Sequence, residues 1–411
     1  MDHHRDNSGG SQVRPLGEAG GVYETLAAAG YQVSLRAFSA IDQYLEFTPL
    51  PFTWVETDAD ITVLARLFDR LRFPGVDLAD GALEAGDRSW YFRCLDPEEA
   101  RLDGAEAFGS AFALLSLSQD WKTRRFRDPC GVYPVIRRFR RGPEKKAPPG
   151  EKIRWMTPRL GTGRYQAAME GALILARYGM EEGRRLEEII PVIRDLPRGQ
   201  TPGIESQRLL LTGILLSPRP DQGLELLKGC GFIAEFWPEF SVLDDVDHSK
   251  EFHPEGNVWK HTMETFRYRK PVARRGRAYD LRLSLGLLLH DVGKPLSASS
   301  GSRRFDGHAE LGAKVARKFL ERLEFDPALI GDIGYLVKNH MLPAALPRLP
   351  LIRTEAIMDS PLFPTLMELY RCDESSSFKG PNAYYESSAA YQSYLKSRAR
   401  IKRSVFYSMG V

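Results

Sequence analysis

His261, the dipeptide His290-Asp291 and Asp373 are the residues of this 411-residue chain whose types and spacing could do chemistry. Imidazole and carboxylate together suit first-row divalent metals such as Mn, Fe, Co, Ni or Zn. A protein that gathers them in one cavity does so to activate a water or to bind a phosphate. The flanking stretches read HPEGNVWKHT (253–262), LGLLLHDVGKP (285–295), FDGHAELGAKVARKF (305–319) and LVKNHM (336–341), which add His308 and His340.

The elements that must position these groups read as amphipathic helices. His290 ends an apolar stripe with Leu283 and Leu287, and His308 begins one with Leu311, Gly312, Val315 and Phe319. His340 ends the stripe Ile333, Leu336, Val337, and Asp373 ends Leu366, Leu369, Tyr370. His261 lies three positions beyond Val258. Helical periodicity therefore turns each polar group inward. Burying one such group without a partner costs a few kcal/mol, and a charge costs more. A lone inward histidine is usually a satisfied core residue. Five or six inward polar groups are better explained by one shared partner, a metal.

Residues 252–373 resemble an HD-superfamily metal-dependent phosphohydrolase domain. In that family the His-Asp pair, an upstream His and a distal Asp bind one metal. The resemblance assigns those places to His290, Asp291, His261 and Asp373. Members with two metals add two histidines between, which His308 and His340 match. Lys294 matches a lysine that contacts phosphate or assists the leaving group. The implied cofactor is one or two divalent ions, drawn from Mn, Ni, Fe, Co, Zn or Mg. The wording HPEGNVWKHT is similar to the HD domain in one bacterial branch of the CCA-adding enzyme and poly(A) polymerase family. His253 belongs to that match, as a ligand, a neighbour of the ligands or a helix cap.

Composition sets the frame. At this length two or three domains are expected, and 43% hydrophobic residues supply material for their cores. A net charge of +3 does not diagnose a nucleic-acid binder. The basic runs at 137–154, 270–277 and 396–403 are the places where a polyanion would be met. Cys94, Cys130, Cys230 and Cys372 form no C-x-x-C pair, so a zinc ribbon or redox motif is not supported. The N-terminus has no apolar core for a signal peptide, and no run approaches the ~20 apolar residues of a membrane span. A cytoplasmic protein without a membrane partner is expected. Composition leaves the oligomeric state unspecified.

The expected fold class is α+β. A tail at 1–20 reads as disordered, and 21–142 reads as a small α/β head. Its helices are VYETLAAAGYQ and ITVLARLFDRL; its strands are LEFTPLPFTWVET, RSWYFRCL and AFALLSLSQDW. A Pro-, Gly- and Lys-rich linker at 141–152 leads into a helical neck and body, 143–240. The all-helical HD region, 241–380, and a helical extension, 381–411, complete the chain.

The head resembles the nucleotidyltransferase head of the same polymerase family. FRDPCGVYPVIRR (126–138) is similar to the stretch that closes it, and 172–180 and 209–240 are similar to its neck and body helices. Laying 37–68 on the head's opening puts Phe38 and Ser39 where the family has a Gly-Gly pair. It puts Phe52 and Trp54 where two metal-binding carboxylates stand two residues apart on one strand face. The later Arg-Asp pair falls at Ser110 and Ala111, and the neck's Asp, Arg and Arg at Arg164, Ala167 and Glu170. Two rival acidic pairs remain. Asp58 and Asp60 precede a helix and read as an N-cap or first-turn acid; Asp77 and Asp80 have the wrong spacing for one strand face.

The functional expectation is a metal-dependent phosphohydrolase acting on a nucleotide or an RNA end, with tRNA among the candidates. His261, His290, Asp291 and Asp373 would hold the first metal, and Asp291 would bridge to a second on His308 and His340. Metal-bound hydroxide would attack phosphorus, with Lys294 neutralising the phosphate. Nucleotidyl transfer is not expected. The competing expectations are a non-catalytic tRNA-binding relic of the polymerase family, and a divergent tRNA nucleotidyltransferase or poly(A) polymerase with relocated carboxylates.

Overall fold

The computed structural model describes residues 20–75, 79–95, 109–139, 156–179, 184–246, 256–270, 276–299, 305–377 and 380–408. His253, Asp77, the tail at 1–19 and the linker at 141–152 lie outside these. The chain divides into two compact units. One comprises Met1–Pro74, Leu78–Phe108 and Leu115–Gly131; the other comprises Gly75–Asp77, Gly109–Leu114 and Val132–Val411. The α+β class holds: a small mixed sheet near the N-terminus precedes a mostly helical remainder. No helix among the described residues is long and apolar enough to cross a membrane.

The first unit is built on a six-stranded sheet in the order β3-β4-β2-β1-β5-β6. Its strands are β1 (Val33–Arg36), β2 (Phe52–Thr57), β3 (Gly81–Ala85), β4 (Arg88–Cys94), β5 (Ser118–Asp120) and β6 (Phe126–Arg127). β2 and β4 pair in parallel, and the other neighbours are antiparallel. Its helices are α1 (Gly20–Ala28), α2 (Ala37–Leu45) and α3 (Ile61–Leu67). Alternation sends Leu35, Val55 and Phe92 into the core with Tyr23, Ile41 and Leu64. Two strand readings shift. In LEFTPLPFTWVET only β2 forms, because α2 runs through Leu45 and Pro49 and Pro51 interrupt the residues before Phe52. AFALLSLSQDW gives a 3-10 turn at Ala113–Ser116 and then β5. Most of that stretch is buried, so it carries no period-2 signal to locate the strand.

In the second unit the neck and body are α4 (Tyr133–Phe139), α5 (Arg164–Tyr178), α6 (Arg184–Arg194), α7 (Ile204–Leu215), α8 (Pro220–Gly229), α9 (Phe232–Phe236) and α10 (Pro238–Ser241). α5 is buried along most of its length and meets α8 where Gly223 lies against the Ala172 carbonyl. The remaining helices are α11 (Val258–Arg267), α12 (Gly276–Leu289), α13 (Lys294–Ser299), α14 (His308–Arg322), α15 (Pro327–Asn339), α16 (Leu342–Ala345), α17 (Leu351–Met358), α18 (Phe363–Ser376) and α19 (Asn382–Ser408). Charged hydrogen bonds tie the body to these helices. Arg208 donates to the Leu323 and Glu324 carbonyls at 3.1 Å. Arg322 donates to the Phe236 carbonyl and to both oxygens of Glu239. The Arg269 guanidinium donates to the Leu215 carbonyl at 2.6 Å and to Ser284 Oγ at 2.7 Å. Hydrogen bonds from a charged donor are worth roughly twice neutral ones.

One contact sets where α14 begins. A Cβ on Gly293 would sit 2.1 Å from the His308 carbonyl and 2.4 Å from the Gly312 amide. Paired glycines let the turn after α12 touch α14 backbone to backbone. Gly293→Ala should therefore lower stability by about 1–3 kcal/mol through overpacking. Gly331→Ala on α15, where a Cβ meets nothing within 4 Å, should cost nothing and gain up to about 1 kcal/mol of helix propensity. Urea denaturation of the two variants checks this; equal midpoints would contradict it.

Candidate metal centre

The inward polar groups converge. Five helices frame them: His261 lies within α11, His290 and Asp291 just past α12, His308 at the start of α14, His340 one residue past α15, and Asp373 within α18. All but Asp373 are buried, and its side chain is 20% exposed. The six form two groups of potential ligands, His261–His290–Asp373 and Asp291–His308–His340, with ligand atoms within 4.8 Å of one another in each. Asp291 faces both. Its Oδ2 lies 3.2 Å from His290 Nε2 and 3.9 Å from His261 Nε2. Its Oδ1 lies 3.6 Å from His308 Nε2 and 3.8 Å from His340 Nε2. His261 Nε2 is 2.9 Å from Asp373 Oδ1. Ligands about 2.1 Å from a shared cation stand roughly 3.0–3.4 Å apart, so small rotations would bring either group onto one ion.

The backbone decides which nitrogen three of the rings present. Nδ1 of His290, His308 and His340 bonds the carbonyl three residues earlier, at Leu287 (2.8 Å), Phe305 (2.7 Å) and Val337 (2.7 Å). A carbonyl only accepts, so Nδ1 carries the proton and a neutral ring turns its Nε2 lone pair inward. His261 is set by Ser376. Ser376 Oγ donates to the Asp373 carbonyl at 2.6 Å, so its oxygen is turned to accept from His261 Nδ1, 3.4 Å away. His261 Nε2 then faces Asp373, where either a second proton or a cation satisfies both atoms.

A cation would satisfy the other lone pairs. His308 Nε2 and His340 Nε2 face each other at 3.1 Å with no proton to share. His290 Nε2 is buried without a hydrogen bond. Protonation is disfavoured for two of the rings: burial pushes His340 down to about 4 and holds His308 below its ordinary value. For the carboxyls, burial alone would raise both pKa values. For Asp291 neighbouring positive charge, the Lys294 ammonium among it, outweighs it, and for Asp373 the hydrogen bond with His261 does. Both carboxyls are held in the ionised form a metal requires. Lys294 Nζ lies 2.6 Å from Asp291 Oδ2. Its ammonium and a cation of the first group compete for that oxygen.

The head positions are equally specific. Phe52 is buried on β2, and Trp54 packs on Tyr91 with ring centroids 4.8 Å apart. Ala37, just before the overlaid Phe38, has φ 48°, a left-handed conformation that glycine adopts freely. Asp60 caps α3 through the Thr62 and Val63 amides at 2.8 Å, and Asp58 accepts from the Gln32 amide at 2.7 Å. Asp80 accepts from the Cys94 amide. In the neck, Arg164 donates to the Leu196 carbonyl, and Glu170 accepts from the Ala111 amide at 2.7 Å.

Residues 258–361 match the HD domain family. The CC-adding tRNA nucleotidyltransferase of Thermus thermophilus is 31% identical over 206 residues, 47% of this chain and 44% of that one. A multifunctional CCA protein of Halorhodospira halophila is 34% identical over 128 residues, 31% of this chain and 29% of that one. The A-adding tRNA nucleotidyltransferase of Deinococcus radiodurans is 33% identical over 161 residues, 37% of this chain and 36% of that one. The chain thus spans less than half the length of these curated relatives. The crystal structure of the Bacillus stearothermophilus CCA-adding enzyme with CTP aligns over 92% of this chain and 82% of its own, at 14% identity and a TM-score of 0.41. Residues 258–361 are thus similar to HD domains, in a chain that is similar over part of its length to tRNA nucleotidyltransferases of the CCA-adding kind.

That relationship corrects the functional expectation. The relatives are named for adding nucleotides to tRNA, not for hydrolysis, so the phosphohydrolase reading falls, and with it the exclusion of nucleotidyl transfer. The physical reason for the error is plain. A ligand set tells which ion a cavity can hold, not which reaction the chain performs. Nothing in the sequence singles out Ser376 beyond its place one turn past Asp373. Ser376→Ala should weaken Mn2+ binding about tenfold, the lower range for a residue that orients a ligand. Competition with a fluorescent chelator measures this, and unchanged affinity would show that Ser376 does not orient His261.

Proposed function

We propose that this protein acts on the 3′ end of tRNA by nucleotidyl transfer, with divalent cations as cofactors. The observation that carries the reading is the kinship with CC-adding and A-adding tRNA nucleotidyltransferases at 31% and 33% identity. Phosphoryl transfer needs carboxylates to place cations against the reacting phosphate. Past Phe52 and Trp54, the next position on the same face of β2 is Glu56. Burial raises the Glu56 carboxyl, and Arg36 and a Ser118 hydrogen bond work against that rise. Glu56 is the candidate relocated carboxylate.

We also assign the two groups in the helical unit to divalent cations, His261, His290 and Asp373 to one and Asp291, His308 and His340 to the other. An imidazole-rich set favours Mn, Fe, Co, Ni or Zn over Mg. A cation there would supply positive charge and open positions for a phosphate oxygen. Lys294, beside Asp291, would meet the same oxygen.

A second reading is favoured by one observation. Phe52 and Trp54 occupy the overlaid carboxylate positions, and Arg164 and Glu170 of the neck are engaged by the protein's own backbone. On that reading the chain holds the tRNA end without extending it. Incubation of tRNA lacking its terminal CCA with labelled CTP and ATP separates the two. The first reading predicts incorporation that falls about a hundredfold or more in Glu56→Gln, the scale of losing a cation-placing carboxylate. Tight tRNA binding with no incorporation would replace it with the second. Elemental analysis of the protein should find a first-row metal that is lost in the double variant His290→Ala/His308→Ala; a metal-free wild type in Mn- or Ni-supplemented buffer would sink the metal assignment.

A further inference from the structure

We infer that the turn between β5 and β6 of the head is a rigid contact for the phosphate backbone of the bound tRNA, an inference that rests on the tRNA reading above. The sequence there, WKTRRFR (121–127), is shorter than the basic runs at 137–154, 270–277 and 396–403. Lys122, Arg124 and Arg125 are all exposed, and none makes an ion pair among the described residues. The carboxylate at the turn, Asp120, accepts from Thr123 Oγ1 at 2.6 Å and from the Thr123 amide, and it also feels the Lys122 charge without forming an ion pair with it.

The turn is held from several sides. The Arg124 amide donates to the Asp120 carbonyl and the Asp120 amide to the Arg125 carbonyl, both at 3.0 Å. The Trp121 amide donates to the Val33 carbonyl, which fixes the turn to β1. Trp121 stacks on the buried Tyr23 ring at 3.7 Å and 10°, and the Arg124 guanidinium lies 3.7 Å from the centroid of the Trp121 ring. Arg124 itself takes φ 60°. A non-glycine residue in that conformation is strained, and such strain persists where the surroundings over-determine it. Glycine would fill that position without cost, yet an arginine stands there, anchored on an indole.

A fixed cluster of cations with no ion-pair partner among the described residues suits a ligand that carries closely repeated negative charge. Cations on a flexible loop lose side-chain and loop freedom when they bind; here the backbone part of that cost is met in folding. The ligand class is a polynucleotide backbone, read by charge and not by sequence. The turn would add affinity without choosing a base.

The test is equilibrium binding of tRNA lacking CCA to the full chain across a salt series. Lys122→Gln/Arg125→Gln leaves Arg124 and its stack in place, so the turn keeps its conformation. The control is Lys314→Gln/Lys318→Gln on α14 of the helical unit, which removes the same total charge. The turn variant should bind about tenfold more weakly near 0.1 M salt, with a log K against log salt slope flatter by roughly 1.5, the release expected for two phosphate contacts. The α14 variant should behave as the wild type. Wild-type binding with an unchanged turn variant, or an equal loss in both variants, would overturn the inference alone. A wild type that binds no tRNA would overturn the tRNA reading and this inference together.

Discussion

Three hydrogen bonds from histidine Nδ1 to a carbonyl one turn earlier are the constraint on which the helical unit depends. They cost the rings their freedom to present either nitrogen. His290, His308 and His340 can only turn Nε2 inward, and Ser376 holds His261 by its Nδ1. The result is a cavity of inward nitrogens and two carboxylates, with two facing lone pairs that share no proton. Buried polar groups without partners are expensive, so the surrounding packing must hold them. The close passage of Gly293 against Gly312 and the arginine clamps from Arg208, Arg269 and Arg322 show how the helices are kept at fixed distance.

The head is governed by its sheet. Left-handed backbone at Ala37 places the β1–α2 turn in a region glycine favours. The face where two carboxylates would stand is aromatic at Phe52 and Trp54, with Glu56 the next residue out. The neck positions that would meet a nucleotide bond the backbone at Leu196, past the end of α6, and at Ala111. The β5–β6 turn of the head carries exposed arginines and a lysine.

Much of this was legible in the residues. Apolar stripes located the inward face at His261, His308 and Asp373, because a buried polar group one turn from leucines and valines leaves a readable period. His290 and His340 sit just past their helices, since a stripe does not say where its last turn ends. Ser376 was not legible, because a serine near a helix end is ordinary until its oxygen is seen beside an imidazole. The 111–121 stretch hid its strand because most of it is buried. The basic turn was hidden for another reason: its rigidity comes from Tyr23, far away in the chain. The reaction was the least legible of all, because the same donors serve any chain that carries this domain.

The most direct test is long-range 1H–15N correlation on the histidine rings of the metal-free protein near pH 7. The geometry predicts neutral rings protonated at Nδ1 for His290, His308 and His340, with pyridine-like Nε2 shifts that move on titration with diamagnetic Zn2+. Rings protonated at Nε2, or fully charged, would contradict the arrangement of inward lone pairs on which the proposed metal centre rests.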